Sequence, residues 1–199
     1  MNLIETEKDK FDPKWWSLIG HHFGEKYMLD IYTQLRDMNR KKHVIFPMKD
    51  QIYKQFKDCK FDDVLVCFIV PKPIIEYHKN LCWQYMTILL ELDCYNGLNL
   101  DCHDDMNYLM SQGIIHIPVS MTYSRHTEHT HLGWQSFTKD CIKHLNNSLN
   151  KILFIYEDSC IEMLDNIDFT KHQVELLQPG VYNKINEFCI KEYNLKIEW

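Results

Sequence analysis

Three groups of side chains have types and spacing that could do chemistry. Lys72 stands in Pro71-Lys72-Pro73, straight after the apolar run from Val64 to Val70. A lysine desolvated in a pocket has a lowered pKa, and its free amine can attack a carbonyl to form a Schiff base. The bland alternative is that a lysine after proline is simply solvated. Asp101, Cys102, His103, Asp104 and Asp105 are of metal-ligand type, but neighbours on one short segment point in different directions and no second half of a site accompanies them. Capping and solvation of the following helix account for the acids. His126, His129 and His131 form the third group, and ligand geometry argues against a metal there too.

The elements that must position these groups follow from periodicity. Val64 to Val70 is apolar throughout and rich in β-branched and aromatic residues, as in a strand buried on both faces of a parallel sheet. Gly113 to Val119 and Ile152 to Tyr156 repeat that pattern, and Val174 to Leu177 is a weaker fourth strand before Gln178-Pro179-Gly180. Helices are expected over Gly24–Arg40, with Tyr27, Met28, Ile31, Leu35 and Met38 in its apolar stripe, over a short segment after Pro47 that buries Ile52 and Phe56, and over Leu81–Asp93. Others are expected within Asp101–Gln112, over Gly133–Leu149, with Phe137, Cys141, Leu145 and Leu149 inward, and over Tyr182–Tyr193. Alternating strands and helices indicate an α/β fold, a three-layer α/β/α sandwich around a central, mostly parallel four-stranded sheet. Ligands of such sheets bind at the carboxyl ends of the strands, so an active site would be built from Val70 to Ile75.

Composition narrows the class. The 199 residues are 45% apolar and 13% aromatic with six Gly and six Pro, an ordinary globular balance. The expectation is one domain over residues 1–199, with 1–14 as an N-terminal extension. The acidic start and the lack of any run of 18 apolar residues argue against secretion and membrane spanning, and for an intracellular protein of nucleus or cytoplasm. Eight scattered cysteines without a C-x-x-C pair read as buried thiols, not disulfides or zinc ligands. No cofactor is implied. The net charge of −6 argues against a tight grip on duplex DNA, which needs a basic surface.

Four segments carry a resemblance. Phe46-Pro47-Met48-Lys49-Asp50-Gln51-Ile52-Tyr53-Lys54-Gln55-Phe56, then Phe61-Asp62-Asp63-Val64, then His129-Thr130-His131-Leu132-Gly133-Trp134-Gln135-Ser136-Phe137-Thr138, and finally Ile197-Glu198-Trp199 resemble the uracil-DNA glycosylases, in that family's order and at roughly its spacing. The resemblance covers most of the chain from about Trp15 and implies the family's fold. It also implies that the His129–Trp134 segment is structural and lies near a DNA-facing loop. Every one of these segments is scaffold.

The same resemblance marks what has changed. The family's Gly-Gln-Asp-Pro-Tyr-His motif, whose carboxylate orients the water, falls on Val70-Pro71-Lys72-Pro73-Ile74-Ile75, where only Pro73 matches. Lys72 in place of the carboxylate opposes an oxocarbenium-like transition state, and Pro71 offers neither amide nor N–H. The base-reading Asn falls at Pro118 and the catalytic His near Gln178. The chain between Ile75 and Leu81 is short of the family's base-stacking Phe and DNA-compressing loop, and after Gly180 it lacks the intercalating loop that offsets base unstacking. Glu157-Asp158-Ser159 replaces the phosphate-clamping Gly-Ser. The degenerate positions are therefore Pro71, Lys72, Ile74, Pro118 and Gln178. The expected function is that of a catalytically inactive homologue that binds a protein partner as an accessory or scaffold in DNA replication or repair, the role poxviral members of the family play for their polymerase. One alternative is a non-cleaving reader of abasic, modified or single-stranded DNA through Lys72, Lys79, Lys184 and His129. Others are a decoy for proteins that target genuine glycosylases and a Lys72-dependent abasic-site lyase. The shortened, degenerate form suggests a viral source.

Overall fold

The computed structural model describes residues 7–73, 106–124 and 127–199. In chain order the described elements are α1 Pro13–Ile19, α2 Lys26–Arg40, β1 Ile45–Phe46, α3 Lys54–Asp58, β2 Val66–Val70, α4 Met106–Ser111, β3 Ile114–Pro118, β4 Tyr123–Ser124, β5 Thr127–Glu128, α5 Trp134–Ser148, β6 Leu153–Tyr156, β7 Gln173–Leu176 and α6 Val181–Tyr193. The central sheet has the order β3-β2-β6-β7 and every pairing in it is parallel. The fold is thus the expected α/β architecture with a four-stranded parallel sheet.

Alternation along the strands builds two cores. Cys67, Ile69, Ile115, Ile117 and Phe154 face a layer made by α1, α2, α3 and α5, where Trp15, Met28, Ile31, Phe56, Phe137 and Cys141 are buried. Val66, Phe68, Val70, Ile114, Leu153 and Ile155 face the other way, onto Val181, Tyr182, Ile185 and Phe188 of α6 and onto Ile197 and Trp199. The sheet is apolar on both faces because both faces are covered. Within α5, Trp134, Phe137, Thr138, Cys141, Ile142 and Leu145 are buried, the three- and four-residue spacing of a helix with one inward stripe.

The first and last described segments are tied in. Asp12 caps α1, its Oδ1 accepting from the N–H groups of Lys14 and Trp15 at 3.1 and 3.0 Å, and also from Phe61 N–H at 3.4 Å. Phe11 is buried in the first core, and Glu7 pairs with Lys57 at 2.9 Å. Within the expected extension, Glu7, Phe11 and Asp12 thus contact the body of the fold. At the other end, Gln112 holds Glu198 through two hydrogen bonds, Nε2 to the carbonyl at 2.7 Å and Oε1 from the N–H at 2.8 Å. Asn186 Oδ1 accepts from Ile197 N–H at 2.9 Å.

Two features escape periodicity. Tyr123–Ser124 pairs antiparallel with both Ile45–Phe46 and Thr127–Glu128, a small second sheet of two-residue strands. Residues Asp158–Asn166 form 3-10 turns that bury Cys160, Met163 and Leu164. The expected helix over Leu81–Asp93 and the acidic segment from Asp101 to Asp105 lie outside the described residues. Five of the eight cysteines, 59, 67, 141, 160 and 189, are buried thiols outside any disulfide. Burial pushes Cys59 up to about 12 and Cys189 up to about 11, and raises Cys67 and Cys141 further, which keeps them as thiols and unreactive. No described helix is long and apolar enough to cross a membrane.

Candidate active-site cleft

After β2 the chain goes to β3 on one side, while β6 lies on the other, so the strand order reverses around β2. The crevice at the carboxyl ends of β2 and β6 is where this topology places a ligand. Backbone bonds fix its floor. Val119 N–H donates to Val70 O at 2.8 Å, Ser120 N–H to Pro71 O at 3.2 Å and Glu157 N–H to Ile69 O at 3.1 Å. Val70-Pro71-Lys72-Pro73, Pro118-Val119-Ser120 and Glu157-Asp158-Ser159 are thereby held along one end of the sheet, with Gln178-Pro179-Gly180 following β7 at the same end.

The side chains there are as follows. Pro71, Lys72 and Pro73 are half-buried. Pro118 ends β3 opposite Val70, and its carbonyl accepts from Thr138 Oγ1 at 2.8 Å. Glu157 Oε1 accepts from Ser159 Oγ at 3.1 Å, and Asp158 is exposed. Gln178 is exposed, and its carbonyl accepts Val181 N–H at 3.1 Å at the start of α6. Ile74 and Lys79 lie outside the described residues. Lys72, Glu157 and Asp158 thus follow neighbouring strand ends that these backbone bonds tie together, and a phosphate approaching the Glu157 side meets negative charge.

Two expected DNA contacts are placed elsewhere in the chemistry of the fold. Lys184 forms an ion pair with Glu175. His129 is fully buried, and its Nδ1 lies 3.0 Å from Thr122 Oγ1, which also accepts Trp134 Nε1–H at 2.9 Å. The Thr122 hydroxyl, with two lone pairs and one proton, serves both rings at once. Burial lowers the His129 pKa first, and the His131 and His43 charges lower it further. His129, expected as a DNA contact, is an interior side chain that with Thr122 and Trp134 joins the approach to β4 to α5. Its Nε2 has no partner among the described residues.

Sequence reasoning missed His116. It is buried on the α6 face of the sheet with its ring stacked on Phe68, centroids 4.8 Å apart and planes 16° off parallel. Both ring nitrogens lack a partner among the described residues, and burial pulls its pKa down to about 3. One polar letter inside Ile114-Ile115-His116-Ile117 was the signal. Metal-ligand atoms of three described residues come together at His21, His22 and Asp140, not at His126, His129 and His131; His126 lies outside the described residues.

No family model matches the chain. In sequence it is similar to the uracil-DNA glycosylase of Campylobacter hominis, 24% identical over 166 residues that cover 76% of this chain and 71% of the relative. It is 22% identical to that of Shewanella oneidensis, covering 93% of this chain and 98% of the relative, and 22% identical to the human one, covering 95% and 69%. In structure it superposes on the crystal structure of mimivirus uracil-DNA glycosylase with a TM-score of 0.76 at 16% identity, over 100% of this chain and 93% of that one. Two variants of the mimivirus protein, solved in complex with UGI, give TM-scores of 0.73 and 0.75.

Proposed function

Starting from a homologue of the uracil-DNA glycosylases that has their fold, we propose that this chain is a non-catalytic member that acts through a protein partner, as an accessory or scaffold in DNA replication or repair. The observation that carries the reading is the pair of residues at the carboxyl ends of β2 and β3. A carboxylate after β2 and an amide at the end of β3 are what the resemblance demands for water activation and base reading, and Lys72 and Pro118 stand there. Lys72 brings positive charge to the place where cationic character develops on the sugar, which raises the barrier instead of lowering it. Pro118 can neither donate nor accept through a side chain, so a uracil edge would be left unpaired in a desolvated pocket, at roughly 1–3 kcal/mol for each lost partner. Glu157 and Asp158 beside the same cleft disfavour a DNA phosphate.

A protein partner is favoured by exposed apolar side chains. Val44 and Met48, 60% and 57% exposed, flank β1, and Phe169 is 62% exposed. The UGI complexes of the mimivirus protein favour one specific version, a decoy that occupies proteins directed at genuine glycosylases. A DNA reader is the second reading, and it keeps Lys72 as the described cation at the cleft mouth.

The test is a gel assay of the purified protein with labelled duplex and single-stranded DNA that contains uracil, an abasic site or neither, at two salt concentrations and with borohydride. The expected outcome is no adduct and no retained DNA at either salt. A trapped adduct that disappears in Lys72→Ala overturns the reading in favour of a lyase. Retention that collapses with salt makes the protein a DNA reader.

A further inference from the structure

Three histidines converge on a single carboxylate oxygen where the Gly20–Gly24 turn meets α5. The Nε2 atoms of His22, His144 and His21 lie 3.0, 3.2 and 3.8 Å from Asp140 Oδ2. The ligand atoms of His21, His22 and Asp140 all lie within 4.8 Å of one another. In a tetrahedral site with bonds of about 2.05 Å the ligand atoms stand about 3.3 Å apart, so these three separations bracket one edge of that polyhedron.

Hydrogen bonding alone fits the cluster poorly. His22 and His144 already take up the roughly two lone-pair sites of this oxygen, and His21 at 3.8 Å is too far to bond it, so hydrogen bonding does not account for its place in the cluster. The His21 and His22 rings are only 4.1 Å apart, tilted by 32°, so two neighbouring residues aim the same atom at the same point. A cation held between the nitrogens and the oxygen satisfies all of them.

The surroundings hold the ligands ready. Tyr27 Oη lies 2.5 Å from His22 Nδ1 and engages the ring nitrogen that faces away from Asp140, as the outer partner of a ligating histidine does. Phe137 packs edge-on against the same ring at 5.4 Å, and His22 is buried. Asp140 and His144 are four residues apart and share one face of α5. A nitrogen-rich set with one carboxylate suits zinc, nickel or copper, whereas magnesium and calcium require oxygen ligands.

We propose that His21, His22 and Asp140 form a binding site for a divalent transition metal of the zinc class, with His144 holding Asp140 from the next turn of α5. The ion would clamp the Gly20–Gly24 turn to α5, segments more than a hundred residues apart in sequence, and so stabilise the helical layer. His21, with its side chain 55% exposed, keeps one side of the site open to solvent.

The test uses the full chain without an affinity tag, stripped with chelator and titrated with zinc chloride by calorimetry and with cobalt chloride by visible absorption. The expected result is one ion per chain, an absorption band of tetrahedral intensity with cobalt, a rise in melting temperature with zinc and none with magnesium chloride. His21→Asn, at an exposed side chain and so not expected to unfold the protein, should weaken zinc binding at least tenfold, and His144→Asn, which removes the contact to Asp140, should weaken it by a smaller factor. His131→Asn, an exposed histidine outside the cluster, should leave it unchanged. Absence of saturable one-ion uptake overturns the proposal. So does equal affinity in the His21→Asn/His144→Asn double variant, or loss of binding in His131→Asn.

Discussion

Pro118 faces Val70 at the carboxyl end of the parallel pair formed by Ile114–Pro118 and Val66–Val70. A proline has no N–H to give a ladder, and the next residue supplies the bond, Val119 N–H reaching Val70 O at 2.8 Å. The Pro118 carbonyl is in turn taken by Thr138 Oγ1. The strand end is therefore complete as architecture while its side chain offers no polar group to the cleft.

Thr138→Val tests that completeness. It keeps the shape of a fully buried side chain and removes the donor to Pro118 O. The expected loss is about 1–3 kcal/mol of unfolding free energy, the usual penalty for an orphaned buried acceptor. Urea denaturation measures it, and a change under about 0.5 kcal/mol, the range of a bland surface substitution, would mean that the bond contributes nothing.

Gly113→Ala should be among the more damaging single substitutions. Gly113 has φ +84°, and a Cβ there would stand 2.3 Å from the Asp63 carbonyl. Its own carbonyl accepts the N–H groups of Leu65 and Val66 at 2.9 and 3.1 Å, so the backbone cannot move away without opening the start of the central strand. Strain of this kind costs roughly 1–3 kcal/mol before the clash is counted. A melting temperature within a degree of the parent protein would contradict it.

Stability should fall in acid partly through His116. Its folded-state pKa of about 3 lies below the unfolded value of 6.5. Between those two values the unfolded chain binds the extra proton, so this contribution is whole above about pH 6.5 and is lost as the pH falls towards 3. A gap of that size is worth at most about 5 kcal/mol. His116→Leu removes both orphaned nitrogens and the titration, so it should flatten the profile below pH 6.5 and stabilise the protein. Parallel profiles for the two proteins would show that His116 is not the titrating group.

Affinity for duplex DNA should be weak and nearly flat in salt. The net charge is −6, Lys184 is paired with Glu175 and His129 is interior. A protein that neutralises several phosphates loses orders of magnitude in affinity over a few-fold rise in salt. Fluorescence anisotropy at two salt concentrations distinguishes the cases, and a steep slope would show a basic surface in use.

The strands were legible because each is buried on both faces and so spells itself in continuous apolar residues, Val64 to Val70 most clearly. Their edges were not: Val64 and Leu65 belong to the approach, since Phe61–Asp63 is a 3-10 turn that delays β2 until Val66. The fourth strand was displaced by one residue, Gln173–Leu176 against Val174–Leu177, because it is only half-buried and alternation there is weak. The second sheet could not be read at all, since two-residue strands carry no period. At the cleft, Lys72 and Pro118 could be placed by their strand ends. The His21, His22, Asp140 and His144 cluster could not, because its halves meet only through the packing of α5 on the Gly20–Gly24 turn. The i, i+4 spacing of Asp140 and His144 was its one local trace.

The most direct measurement is single-turnover release of uracil from a labelled single-stranded oligonucleotide, with the protein in large excess over the substrate so that even one slow event per chain is counted. The expected rate equals that of the buffer control and does not change with protein concentration or in Lys72→Ala. Release that rises with protein concentration would contradict the non-catalytic reading and make the cleft around Lys72 and Pro118 an active site of a different design.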